Sequence, residues 1–327
     1  MALAITDPSV PFGKTHAAVY VAAATQIPSQ DFTAISQRQP LLMQQPEAFE
    51  SILKYYEIKP AYVLGVKAFH FLGFNLVTST YLPSTISYFL IGCLLFVWLQ
   101  KMFNIQFAAL ITLLITASPF LITTSRYSSP DMLCALVSLA GVFLISQTSI
   151  TVGLILCLLA IPVRPDALIQ FLFLIPVLYK LDKLPLKNAS MFGVVGIVTT
   201  LFSIGKPGIL KEFLFTTPSY SSSWSASSMI ENYGGGLWGG VNSIVNSQTS
   251  IFVFLAVITL YLRSKDNRKL TTDFWSLLIL STLATFILRF LLHPIIEDRF
   301  QITSYLIIII AFCKTISHLH ATKSPSN

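Results

Sequence analysis

The chain has 327 residues, of which 54% are hydrophobic and only 11% charged, and its mean hydropathy is +0.71. Soluble proteins of this size carry about 25% charged residues, so an ordinary water-solvated globule is excluded and lipid becomes the expected solvent. The formal charge of +7 raises nucleic acid as a partner. The basic residues, however, sit in short clusters between apolar runs, where membrane topology accounts for them, and no nucleic-acid partner is expected.

Residues 1–50 are mixed in character and show no cleavable signal peptide. Residues 1–82 are expected to form an extracytoplasmic first loop with interfacial helices. Within it the apolar stretch 60–76 holds Lys67, His70 and Asn75, which suits an interfacial helix better than a full span. A spanning helix needs about 20 mostly apolar residues. Nine stretches qualify as candidates: 83–100, 107–122, 131–147, 150–163, 167–180, 189–205, 250–263, 274–292 and 301–317. The sequence therefore predicts an all-α polytopic membrane protein of about nine transmembrane helices plus interfacial helices. The transmembrane domain covers 83–319, with an outer loop at 206–249 rich in Ser, Gly and aromatic residues and a cytoplasmic tail at 320–327. Arg164-Pro165-Asp166 separates 150–163 from 167–180; the two runs either turn back there or form one kinked helix. Cys93, Cys134, Cys157 and Cys313 each lie in an apolar run with no CxxC or Cys/His spacing, so neither a disulfide framework nor a zinc site is expected.

Orientation follows from Lys and Arg in the short loops. With 1–82 outside, the inward loops carry Lys101, Lys180, Lys183, Lys187, Arg263, Lys265, Arg268, Lys269, Lys314 and Lys323. Every basic cluster falls inside under this parity, which favours nine spans over eight; the expected location is a cell (inner) membrane, multi-pass.

Three motifs then share the outer face: Ser125-Arg126-Tyr127-Ser128-Ser129-Pro130-Asp131, Val163-Arg164-Pro165-Asp166 and His293-Pro294-Ile295-Ile296-Glu297-Asp298-Arg299-Phe300. Each has a plain structural explanation. Pro130 and Pro165 fit the first helical position, and an Asp in the first turn gains roughly 0.3–1 kcal/mol from the helix dipole. Charges inside spans are costly, though, and this chain gathers its ionisable groups at helix ends on one side. Arg126, Arg164, Arg289 and Arg299 with His293 can converge on an anion, since the guanidinium fork bonds phosphate bidentately and never deprotonates. Carboxylates beside them can activate a hydroxyl or hold a metal. A lipid-phosphate substrate would reach such a site from the membrane.

The order of several short motifs resembles the GT-C fold of polyprenyl-phosphate-sugar-dependent glycosyltransferases, in the branch of protein O-mannosyltransferases and aminoarabinose transferases. The residues that carry the resemblance are Tyr20, Lys59-Pro60, Gly73-Phe74-Asn75, Pro83-Ser84, Ser118-Pro119, Pro130-Asp131 and Glu297-Asp298-Arg299-Phe300, across roughly residues 14–300. The resemblance implies transfer of a sugar from a polyprenyl-phosphate carrier to an acceptor on the extracytoplasmic side, with inversion at the anomeric carbon. It implies a first-loop acid as base and basic side chains on the leaving phosphate. Catalytic candidates are Asp7, Asp131 and His16. Substrate-binding candidates are Lys59, Tyr20, Arg126, Arg164, Asp166, His293, Glu297, Asp298 and Arg299. The family's acidic pair stands just before the Tyr, whereas Lys14-Thr15-His16-Ala17-Ala18-Val19-Tyr20 has no carboxylate. The family also has a helix before the first outer loop, of which residues 1–6 are at most a stub. An inactive or truncated relative and a lipid-linked-substrate transporter are the alternatives. The acceptor is unknown, and a divalent metal cofactor is left open.

Overall fold

The structure is a computed structural model that describes residues 59–204, 238, 241, 242, 244, 248–266, 270–292 and 298–323. The described residues are helical, with no strand among them. In chain order the helices are α1 (Pro60–Phe71), α2 (Leu76–Gln100), α3 (Ile105–Thr116), α4 (Pro119–Ser125), α5 (Asp131–Ser146), α6 (Ile150–Leu159), α7 (Ala167–Lys180), α8 (Leu186–Ile204), α9 (Thr249–Lys265), α10 (Phe274–Leu292) and α11 (Ile302–Lys323). A 3₁₀ turn at Asp298–Gln301 leads into α11.

Side chains and prolines set the helix starts. Asn75 caps α2 by accepting from the Thr78 amide at 2.8 Å, and Asn104 caps α3 by accepting from the Phe107 amide at 2.9 Å, each relieving one orphan donor of a first turn. Pro60 and Pro119 open α1 and α4, where the missing N–H costs nothing. Pro119 also explains why the expected span 107–122 is not one straight helix. The residue before a proline is driven out of the helical region, and Ser118 is extended (φ −62°, ψ 136°). As a result α3 and α4 meet at a 64° bend.

Four helices are long and apolar enough to cross a membrane, at Thr78–Gln100, Leu186–Ser203, Phe274–Leu292 and Asp298–Ala321, or five if the bent α3–α4 pair counts as one. Each of the nine expected runs does correspond to helix, but α5, α6 and α7 have only 16, 10 and 14 residues. These fall short of the ~20 residues that cross a full hydrocarbon core. Between α6 and α7 the chain turns back at residues 160–166 and does not continue as one kinked helix. Asp166, at the start of α7, meets Arg289 near the end of α10, while Lys183, just past the end of α7, lies over Phe274 at the start of α10. The two helices are therefore antiparallel.

The bundle thus has two ends with different chemistry. At one end the ends of α2, α5, α9 and α11 are tied together. Lys101 Nζ donates to Gln147 Oε1 at 2.6 Å, and Ser317 Oγ donates to the Met102 carbonyl at 2.8 Å. His318 lies 3.2 Å from Asp266. Arg263 is 2% exposed. It clasps Asp273 through Nε (2.9 Å) and Nη2 (2.6 Å) and donates to Thr315 Oγ1 at 2.9 Å. By sequence it is one more cation of an inner loop; in the fold it pins three helices together. The core between the ends is apolar, with Trp98, Phe171, Tyr305 and Met132 among its largest fully buried side chains. The tightest approach is α5 on α6. A Cβ added to Gly141 would lie 2.7 Å from the Gly153 carbonyl oxygen, and one added to Gly153 would lie 2.6 Å from that of Gly141. Small residues at facing positions let helix backbones come this close.

Candidate functional site

The other end of the bundle carries a cluster of charges built from four separated stretches of chain. Arg164 is its hub. Its Nη1 donates to Asp131 at the start of α5. Its Nε and Nη2 grip both oxygens of the Asp166 carboxylate at 2.7 and 2.6 Å. Asp166 also takes Arg289 Nη2 at 3.1 Å, and Arg289 Nη1 donates to the Phe300 carbonyl at 2.6 Å. The Phe300 ring lies 4.6 Å from the Arg164 guanidinium and 4.8 Å from that of Arg299, within cation–π range of both. Local sequence explains these positions. Pro130 and Pro165 lie at the turns that start α5 and α7, placing Asp131 and Asp166 where the helix dipole favours an anion. Both prolines fall earlier than the expected first helical position: Pro130 is the N-cap of α5 and Pro165 precedes Asp166, the N-cap of α7, so Asp131 lies in a first turn and Asp166 just before one, and both reach the same guanidinium.

Lys59 precedes α1 and joins the cluster, held in place from below by a chain of hydroxyls. Tyr62, fully buried, donates to the Thr80 carbonyl at 2.8 Å and lies 3.1 Å from Ser84 Oγ. Ser84 donates to the Ser129 carbonyl at 2.6 Å, and Thr80 bonds Ser128 hydroxyl to hydroxyl at 2.8 Å. The Ala61 amide donates to the Pro162 carbonyl at 3.1 Å, so α1 is fastened to both the 128–130 and 160–166 turns. Burial lowers the Lys59 amine to about 8, with Asp131 pulling it up and Arg164 and Arg299 pushing it further down. Burial alone would raise Asp166; Arg164 and then Arg289 outweigh it and hold this carboxyl below its ordinary value. Burial works against charge on Arg164 too, and Asp166 and Asp131 more than offset it, so its guanidinium stays protonated.

A second group fixes the 298–301 turn. Tyr305 of α11 donates to Asp298 at 2.9 Å and contacts Thr249 Oγ1 at 2.5 Å, while its ring stacks on Phe252 at 3.9 Å.

Of the expected site residues, Lys59, Asp131, Arg164, Asp166 and Arg299 come together, with Asp298 one residue away and turned toward Tyr305. Arg126 lies at the C-terminal cap of α4, in the turn that leads to Asp131. Asp7, His16, Tyr20, His293 and Glu297 lie outside the described residues. Arg289, Tyr62, Ser84, Phe300 and Tyr305 complete the arrangement. Arg289 is one of the arginines expected from the sequence to converge on an anion, and it does reach the cluster. The hydroxyls had no signal, because a serine or tyrosine in an apolar run reads the same whether it bonds its own helix or a neighbour. Among the described residues no group of three or more His, Cys, Asp or Glu is arranged to hold a metal ion. Buried polar atoms at this end still lack a hydrogen-bond partner, namely Ser129 Oγ, Arg289 Nε and Gln301 Oε1.

The described residues define an all-helical bundle with helices long and apolar enough to cross a membrane and a polar cluster at one end. Comparison with known protein families, curated proteins and solved structures finds no match.

Proposed function

We propose that this chain is a membrane glycosyltransferase of GT-C type that moves a sugar from a polyprenyl-phosphate donor to an acceptor on the extracytoplasmic side of a cell (inner) membrane. In this reading α2, the α3–α4 pair, and α5 through α11 make nine passes, and the charge cluster faces outward. The observation that carries it is the gathering of basic side chains at one end of the bundle. Lys59, Arg164, Arg289 and Arg299 meet there among helix ends, with Asp131 and Asp166 holding the Arg164 and Arg289 guanidinium groups in place. Fixed guanidinium and amine groups at helix ends suit an anionic group presented by a lipid, and they stabilise a departing phosphate without any reorganisation.

The cluster also assigns roles. Asp131 is buried and spends its carboxylate on Arg164; Asp166 is shared by two arginines. Both fit positioning of guanidinium groups better than proton abstraction. The base is then left to the first loop, where Asp7 and His16 are the candidates. The same observation supports a second reading, a relative that binds the lipid phosphate without transferring sugar, because neither clustered carboxylate is free to take a proton.

The test is transfer of radiolabelled sugar from a polyprenyl-phosphate donor by the purified chain in lipid nanodiscs, with donor binding measured in parallel. Arg299→Ala is expected to weaken donor binding at least tenfold and to lower transfer with it. Binding without transfer in the parent chain selects the second reading. A parent chain that neither binds the donor nor transfers sugar removes both, and undiminished transfer in Asp131→Asn, Arg299→Ala and Glu297→Gln alike removes the charge cluster as the site.

A further inference from the structure

The α1–α2 hairpin rises above the charge cluster and ends in an apolar tip. Phe71 is 91% exposed and Leu72 68%, with Phe74 also exposed and Leu64 exposed on the flank below. The tip is a built turn. Gly73 takes φ +94°, His70 Nδ1 donates to the Phe74 carbonyl at 3.0 Å, and Asn75 caps the next helix. The Phe69 and Phe74 rings meet edge to face at 6.1 Å. Lys67 and His70 also lie on α1, which carries no acidic residue.

The height of this tip is set by helix lengths. The 16 residues of α5 separate the cluster from the opposite end of the bundle by about 24 Å, roughly 6 Å less than a hydrocarbon core of about 30 Å. With the opposite end set at the hydrocarbon edge, the cluster lies about 6 Å below the edge of the apolar layer on its own side. Ser84, bonded to Ser129, marks the cluster's level on α2. The start of α2 is a little over two turns higher, about 12 Å, which puts the tip about 6 Å beyond the hydrocarbon edge and within the headgroup layer. Further apolar side chains are exposed along α2. A Cβ added to Gly65 of α1, next to Leu64, would lie 3.6 Å from the Pro83 ring, and Ile86, Phe89 and Leu90 of α2 are exposed beyond it.

We propose that the Phe71–Phe74 tip is an interfacial anchor that seats in the lipid headgroup layer on the cluster side of the membrane. Aromatic rings settle at that level because they are apolar in body and tolerate a wet edge, and Lys67 and His70 reach lipid phosphates from the same helix. The anchor holds the outer end of α1 against the bilayer while Lys59, at its inner end, stays in the sunken cluster. The inference does not depend on the transferase reading.

The test is spin-label accessibility in nanodiscs. Cys93 is the exposed native cysteine and the other three are buried, so labels are placed at Phe71→Cys, Leu72→Cys and Leu64→Cys in a Cys93→Ser background. Phe89→Cys and Asp182→Cys serve as lipid-facing and water-facing references. The expected result is a depth at positions 71 and 72 between the two references, with position 64 as oxygen-rich as position 89. Nickel-chelate accessibility at 71 and 72 equal to that at 182 would overturn the proposal. So would protection from both oxygen and nickel, which would mean that a protein segment covers the tip.

Discussion

Replacing Arg164 with Met removes the group that bonds both Asp131 and Asp166. The side chains involved are nearly enclosed, at 12% exposure for Arg164 and 3% for Asp131. Breaking a buried ion pair by removing one partner costs about 3–5 kcal/mol, because the charge left behind has lost its compensation. Asp166 keeps Arg289 at 3.1 Å, so most of the loss comes from Asp131, and the lower end applies, about 3 kcal/mol. Adding Asp131→Asn to Arg164→Met removes the stranded charge and is expected to return more than half of that. Asp131→Asn alone should cost less than Arg164→Met, since Arg164 keeps both bonds to Asp166. Reversible unfolding in mixed micelles, titrated with denaturing detergent, measures all three variants against the parent. An Arg164→Met chain within about 1 kcal/mol of the parent would refute the reasoning, given the ~3–5 kcal/mol that such a break costs. So would a double variant less stable than Arg164→Met.

Two further outcomes follow from particular residues. Lys59 titrates near pH 8, so anionic-donor binding should fall as pH rises from about 7 to about 9 around that midpoint, and Lys59→Arg should flatten the profile because arginine keeps its charge. The effect on stability runs the other way. Between about pH 8 and the ordinary lysine value only the unfolded chain holds this proton, so the group makes stability rise with pH across that window. Gly141→Ala and Gly153→Ala should each cost about 1–3 kcal/mol, the usual range for overpacking. In each case the new methyl meets a backbone carbonyl within 2.7 Å, which cannot rotate away. Thermal midpoints in detergent check this, with Gly193→Ala, which meets nothing within 4 Å, as the control.

Much of the candidate site is legible in the chain's local pattern. Asp131 and Asp166 follow prolines at helix starts, and Lys59 precedes another, so each belongs to a helix end. Basic-loop parity puts those ends on one side, and the fold does bring Lys59, Asp131, Arg164, Asp166 and Arg299 together. The pairings are not legible. Nothing in the sequence says that Arg164 takes both aspartates, that Arg289 reaches across to Asp166 and Phe300, or that Tyr62 bonds Thr80 and Ser84. Arg263 is the clearest case of a misread residue. In sequence it is one cation of a basic run; in three dimensions it is enclosed and clasped by Asp273 and Thr315.

The sequence by itself determined that the chain is helical and lipid-solvated, because apolar composition and run length are local quantities that a one-dimensional pattern carries in full. It also marked several helix starts, where Pro60, Pro119, Pro130 and Pro165 stand at or just before a first turn, but not that of α2, which begins at Leu76 behind the Asn75 cap and carries Pro83 in its interior. Tertiary structure decided which carboxylate neutralises which guanidinium, and that α3 and α4 bend while α5 and α6 pack backbone to backbone. Those outcomes depend on distances between residues far apart in the chain, and a distance is fixed only when helices of given length are packed against one another.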